Sequence, residues 1–275
     1  MNFISNLSPI WCDTTYSSTH QPLVEIALGL PRQALLAQAL MRAQRGANAT
    51  DVLRMDLPPK GEPRIRNLVH RGAPRPVFKT TSVKLCRVVQ SESALEHETA
   101  LLLDVSPTVR AYAEQPVRIH YWVDDIWRSH VPDFAVLVDC RVTFVEIKFE
   151  KDVDAEVRRR TAVMQERLKV LDSGYCLMTE RHVRQGDHVR NAQRVMRRAR
   201  HAITEAQRFA TLEKLRSMER PRLSEFGWSV GDSHEAVGIA RLIMSGHATA
   251  DGQGPLSDQS CVWLTEAGKL VGGAA

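Results

Sequence analysis

In the segment "VPDFAVLVDCRVTFVEIKFE", residues 131–150, two acids and a lysine stand where a core strand would ordinarily carry valine. Asp133 follows Pro132 directly; after twelve intervening residues comes Glu146, and two positions on, Lys148. Side chains of a strand alternate between its faces, so Val142, Phe144, Glu146 and Lys148 share one face while Thr143, Val145, Ile147 and Phe149 share the other. A face that starts apolar and ends in two opposite charges is leaving the core at a site. Two carboxylates brought side by side repel each other unless positive charge lies between them, and Mg²⁺, with Mn²⁺ as its substitute, has the hard-oxygen preference that suits the gap. Lys148, a compact cation, can orient or deprotonate a water, or stabilise charge building on a phosphate.

The elements that must position these groups can be read around them. Phe134 to Val138 and Val142 to Phe149, joined by Asp139-Cys140-Arg141, form a hairpin of β-branched and aromatic residues whose register sets Asp133 beside Glu146. Upstream, Ser93 to Asp104 reads as a helix with Ser93 as N-cap, ending before Pro107. Val117 to Val123 reads as a strand, and Asp124-Asp125 suits the turn after it. Residues 153–172 return to helical spacing, with Val157, Met164, Leu168 and Leu171 on one side. Tyr175 to Met178 is a further apolar strand. Helix, three strands, helix, strand is an α/β order, with a mixed sheet covered by helices.

The flanking regions differ in character. Residues 1–74 are expected to form an extension or arm holding one amphipathic helix, Pro31 to Arg45, with Gly46 just past its end. In the C-terminal part, residues 188–217 read as one or two Arg-rich helices, Ser233 caps a helix from His234 to Ser245 closed by Gly246, and Cys261 to Leu264 reads as a strand. Residues 181–222 carry twelve Lys and Arg against four Asp and Glu, so the basicity of a chain with net charge +5 is concentrated there. That is the composition of a phosphate-contacting surface or of a solvated basic helix face.

Composition excludes several classes. The 275-residue chain is 43% hydrophobic and 25% charged, enough to bury a core. Its longest apolar runs span about five residues, far short of a membrane span, and its N-terminus lacks signal-peptide character, so a cytoplasmic location is expected, nucleoid-associated when the protein is on DNA. The five cysteines (Cys12, Cys86, Cys140, Cys176 and Cys261) are scattered and read as plain thiols. The absence of H-E-x-x-H and of a glycine-rich phosphate loop argues against a zinc hydrolase or a nucleotide-driven motor.

The spacing Pro132-Asp133, twelve residues, Glu146-Ile147-Lys148 resembles the active-site motif of restriction-endonuclease-like nucleases. A wider stretch, "SESALEHETALLLDVSPTVRAYAEQPVRIHY" followed by the segment above, resembles the catalytic domain of TnsA, the endonuclease subunit of heteromeric transposases of the Tn-seven type. The shared features are Ser93-Ala94-Leu95-Glu96, an apolar helix ending near Pro107, Glu114-Gln115-Pro116 before a strand, and the P-D and E-x-K elements. The resemblance covers about residues 75–180, with weaker likeness to about 265.

It implies a restriction-endonuclease-like core over 75–182 and, over 183–275, a small helical or winged-helix-like unit for partner and DNA contact. It implies Glu96, Asp133, Glu146 and Lys148 as the catalytic set, with Mg²⁺ held by Glu96, Asp133, Glu146 and the main-chain carbonyl of Ile147. It also implies work at transposon-end DNA, cutting one strand at the 5′ ends, with a TnsB-like DDE transposase and a TnsC-like ATPase. Ser93-x-x-Glu96 is equally a capping box, in which the glutamate satisfies backbone donors at a helix start. His97 reads as surface or packing, and Gln165 and Lys169 as helix surface able to face DNA. A stand-alone nuclease of the same fold and a non-catalytic DNA- or partner-binding adaptor are the alternatives.

Overall fold

The computed structural model describes residues 32–66, 77–230, 233–251 and 254–271. The chain is mixed α/β and divides into two compact units, one containing residues 32–100 and 109–183, the other 101–108 and 184–271. No helix among the described residues is long and apolar enough to cross a membrane.

The first unit is built on a four-stranded sheet of β4 (Val109–Glu114), β7 (Phe134–Val138), β8 (Arg141–Ile147) and β9 (Gly174–Met178), in that spatial order. The hairpin read from sequence forms in the expected register: β7 and β8 pair antiparallel with Phe134 opposite Val145, and Asp139 turns the chain at a left-handed φ of 51°. β8 and β9 run parallel, joined by α3 (Ala155–Lys169) as a crossover. Asp154 caps that helix by accepting from the Val157 N–H, and Val157, Met164 and Leu168 are buried along it. Every residue of β7 is buried, which is why that strand reads as an unbroken apolar run.

Beside this sheet lie an antiparallel three-stranded sheet, β1 (Leu53–Asp56), β5 (Arg118–Val123) and β6 (Ile126–His130), and a hairpin of β2 (Phe78–Ser82) and β3 (Arg87–Ser91). Asp124 and Asp125 make the two-residue connection from β5 to β6, both at left-handed φ (52° and 58°), which matches the twist of the strands they join. β4 and β6 were not expected from the sequence, and with them the succession between the helix of Ala94–Val105 and α3 has five strands.

Residues 32–56 correct the expectation of an N-terminal arm over 1–74. Helix α1 (Arg32–Asn48) packs against β4, β7 and β8, and β1 pairs with β5, Leu53 facing Tyr121. Leu36, Leu40, Leu53 and Met55 are buried, so this segment is core of the unit that carries the Asp133 hairpin. α1 also runs past Gly46, which serves a close approach: a Cβ there would stand 3.0 Å from Leu171. Pro31, residues 1–30 and 67–74 lie outside the described residues.

Helix α2 (Ala94–Val105) passes from the first unit into the second. The first unit ends with α4 (Glu180–Val183); the second is otherwise α5 (His188–Ala199), α6 (Glu205–Arg216), α7 (His234–Met244), β10 (Ala248–Ala250), β11 (Val262–Leu264) and α8 (Glu266–Leu270). Arg-rich residues 188–217 thus fold as two helices, the second started by a capping box between Thr204 and Gln207. α7 is the buried centre: Val237, Ile239, Ala240, Leu242 and Ile243 are all inaccessible, and Gly238 lets Thr211 of α6 approach closer than a Cβ would allow. Ser233 caps α7, and Gly246 follows it at φ 78°, as read from the sequence. β10 and β11 pair antiparallel, and Arg222, just before a short 3₁₀ turn, bridges to Cys261, the residue before β11.

Candidate active site

The residues that the motif singles out meet in one open cleft of the first unit, lined among others by Glu96, His130, Asp133, Glu146, Lys148 and Arg160. Register does most of the work. Since Phe134 faces Val145, the residue before it, Asp133, falls alongside Glu146 and Ile147, and the Ile147 N–H donates to Asp133 Oδ2 at 2.7 Å. Asp133 is pinned from its other side too, its carbonyl accepting from the Gln115 N–H at 2.8 Å.

Glu146 is almost wholly buried, its side chain 2% exposed. Its Oε1 is approached by two cations, Lys148 Nζ at 2.9 Å and Arg160 at 3.2 Å. Next to Oε2 stands His130 Nε2 at 2.8 Å, but out of hydrogen-bond alignment, so Oε2 is buried without a proper donor. His130 Nε2 is directed instead at the Tyr175 hydroxyl, 2.9 Å away. Four elements therefore converge: the loop before β7, β8, α3 and the end of β6, with Tyr175 of β9 behind.

Charge is unevenly balanced across the cleft. Burial pushes the Asp133 carboxyl well above its ordinary value, and the neighbouring carboxylates of Glu146 and Glu96 push it further. Burial acts the same way on Glu146, but His130 and Lys148 outweigh it and hold that group down at about 2. Burial lowers the proton affinity of Lys148, yet Glu146 and Asp133 more than restore it, leaving the ammonium firmly charged. Glu96 is raised chiefly by burial.

Glu96 does both things the sequence allowed it to do. It belongs to the helix cap, Oε2 accepting from the Glu92 N–H at 2.8 Å and Oε1 from the Ser93 hydroxyl at 2.9 Å, while Ser93 accepts from the Glu96 N–H. It also lines the cleft and raises Asp133. Among the described residues, no three His, Cys, Asp or Glu side chains stand together in a ligating arrangement. The donor set nevertheless fits a hard divalent cation. Three carboxylates share the cleft, Asp133 is raised by burial and by the other two, and one buried oxygen, Glu146 Oε2, lacks an aligned partner. Glu96 would have to leave its cap to join.

Other residues named from sequence stand elsewhere. His97 packs on β2, its Nδ1 2.7 Å from the Thr80 hydroxyl and its ring stacked 5.5 Å from that of Phe78. Gln165 and Lys169 are exposed on α3, but the helix turns Arg160 to the cleft and not those two. His130, Arg160 and Tyr175 were missed. Arg160 is one of three consecutive arginines, 158–160, and only the phase of α3 against β8 distinguishes it. No family model matches this chain, and no curated protein matches it.

Proposed function

We propose that the protein is a metal-dependent DNA endonuclease whose first unit has a restriction-endonuclease-like core. The observation that carries this reading is the pairing of Asp133 with Glu146 across β7 and β8, with Lys148 2.9 Å from Glu146 and a charge-deficient Asp133 opening into the same cleft. Asp133, Glu146, the Ile147 carbonyl and, once released from its cap, Glu96 would hold Mg²⁺ or Mn²⁺. Bound there, the ion supplies concentrated positive charge beside the phosphorus centre.

The chain's own groups do the rest. Asp133, fixed by the Ile147 N–H and the Gln115 N–H, presents its carboxylate to one side of the cleft. Lys148, 35% exposed, is the one cation of the motif that can reach an incoming phosphodiester or the water that attacks it. The ammonium offsets negative charge as the phosphorus gains a fifth oxygen, and the broken P–O bond leaves as an alcohol once a proton reaches it. Hydrolysis of one strand gives one nick per active site.

From the sequence resemblance, the substrate we propose is transposon-end DNA, cut at the 5′ strand in company with a DDE transposase and an ATPase regulator. In the second unit, the connectivity from α6 through the Arg222 bridge, α7 and the β10–β11 pair supports a winged-helix-like reading. Its α7 is too buried to enter a DNA groove, whereas α5 leaves Arg190 and Arg197, and Arg200 just past its end, exposed for phosphates.

The test is nicking of supercoiled and transposon-end DNA with Mg²⁺ or Mn²⁺, with and without the transposase and ATPase, for the wild type beside Asp133→Ala and Lys148→Ala. Cutting that needs metal, both residues and the partners supports the reading in full. Cutting by the protein alone points to a stand-alone nuclease, and intact DNA binding with no cut in any mixture leaves an adaptor.

A further inference from the structure

Glu146 Oε1 receives two cations, one more than a single buried carboxylate oxygen requires. Lys148 lies on the same strand two residues away, and Arg160 reaches in from α3. The two differ in their freedom to leave: the Lys148 side chain is 35% exposed, that of Arg160 18%. Arg160 is also incompletely satisfied, its Nε being buried without a hydrogen-bond partner. A guanidinium with a spare buried donor beside a carboxylate can turn from a single contact to a two-pronged one when space is made.

We infer that Arg160 is a positioning residue that holds Glu146 in place of Lys148 while Lys148 engages the substrate. The inference rests on the nuclease reading above. The physical need is plain. A lysine that turns toward a phosphate abandons Glu146 Oε1, and with His130 out of line at Oε2 the buried carboxylate would then lack an aligned cation, which is costly. With Arg160 in place the exchange leaves Oε1 paired throughout, the fork of the guanidinium closing on the oxygen that Lys148 vacates. Oε2 stays free of aligned donors, with His130 Nε2 beside it at 2.8 Å. Arg160 thus acts on the reaction through Glu146 and Lys148 and touches no reacting atom.

The experiment compares wild type, Arg160→Met and Arg160→Lys in the full reaction mixture, measuring kcat, KM for DNA, and Mn²⁺ affinity of the isolated protein by titration calorimetry. Arg160→Met should lower kcat about 100-fold, in the range typical of groups that support a charged catalytic residue, while KM stays within about 3-fold. Mn²⁺ affinity should be unchanged or tighter, because a competing positive charge has been removed. Arg160→Lys should recover most of kcat, since an ammonium can still pair with Oε1.

A kcat within 3-fold of wild type in Arg160→Met would overturn the inference. So would kcat and Mn²⁺ affinity falling together, which marks a packing residue, or a rise in KM with kcat intact, which marks a direct phosphate contact. Wild type that binds no Mn²⁺ and cuts nothing would instead remove the nuclease reading on which the inference stands.

Discussion

Two glutamates of the first unit are equally buried, each 2% exposed, and each is met by more than one cation. Glu114, at the end of β4, is gripped by Arg87 through two parallel bonds of 2.8 and 2.7 Å and by Arg64 at 3.1 Å, so both of its oxygens are satisfied. Glu146 has two cations crowded on one oxygen and no aligned donor on the other, and two further carboxylates nearby. The first arrangement is closed, with guanidinium geometry matched to carboxylate geometry. The second is lopsided: His130 and Lys148 keep Glu146 charged, while Asp133 beside it is raised by burial and by its acidic neighbours. Burial of an ion pair alone therefore says little about function; the unpaired remainder says more.

The largest effect expected from breaking this contrast is on chemistry. Asp133→Ala and Lys148→Ala should each reduce metal-dependent nicking by at least about 100- to 10,000-fold, with the circular dichroism spectrum unchanged. Residual cutting at wild-type rate in either variant would place the reaction elsewhere. Glu114→Ala should do the reverse, costing about 3–5 kcal/mol in urea unfolding by leaving two arginines facing a buried void. A loss near zero would show that Glu114 is as poorly compensated as the cleft carboxylates.

A third test uses pH. Asp133 binds its proton more tightly in the folded protein than its ordinary value of 3.8, because burial and then Glu146 and Glu96 raise it. The metal-free fold therefore keeps that contribution at about pH 4 and loses it as pH rises through the folded value. Asp133→Asn should melt above the wild type at about pH 8 without metal, and level with it near pH 4. Mn²⁺ should raise the melting temperature of the wild type at pH 8 and leave the variant unmoved. A variant that melts no higher at pH 8 would mean that Asp133 is already compensated.

The smallest effect separates the two duties of Glu96. Ser93→Ala should cost about 1 kcal/mol as a lost helix cap and leave nicking within a few-fold. Glu96→Gln, which keeps an acceptor oxygen for the cap but removes the charge, should cost little stability and depress nicking strongly. Equal nicking by Glu96→Gln and wild type would reduce Glu96 to a cap.

Much of this was legible in the sequence for a local reason. The β7–β8 hairpin announces itself by two runs of β-branched and aromatic residues around a short turn, which closes on two residues, Asp139 and Cys140, where three were expected; Asp133, Glu146 and Lys148 could therefore be placed together without the fold. β4 could not be read: "VRAYAE" is buried on both faces and two-thirds alanine and charge, with no alternation to mark it. β6 was hidden by the opposite property, being exposed almost throughout as an edge strand. His130, Arg160 and Tyr175 come from three separate elements and share no spacing. Only packing brings them to Glu146, and packing is where single-sequence periodicity has nothing to say.

The placement of α1 and β1 has a consequence for the newborn chain. Val52 meets Arg167 across 115 residues of sequence, and Leu53 finds its strand partner only when Tyr121 has been made. During synthesis these early segments leave the ribosome long before β4, β7 and β8 exist to cover them, carrying Leu36, Leu40 and Met55 bare. Pairings of such separation are slow to close and vulnerable while they wait. Expression of this unit should therefore respond more to chaperone supply and slow translation at low temperature than its modest size would suggest.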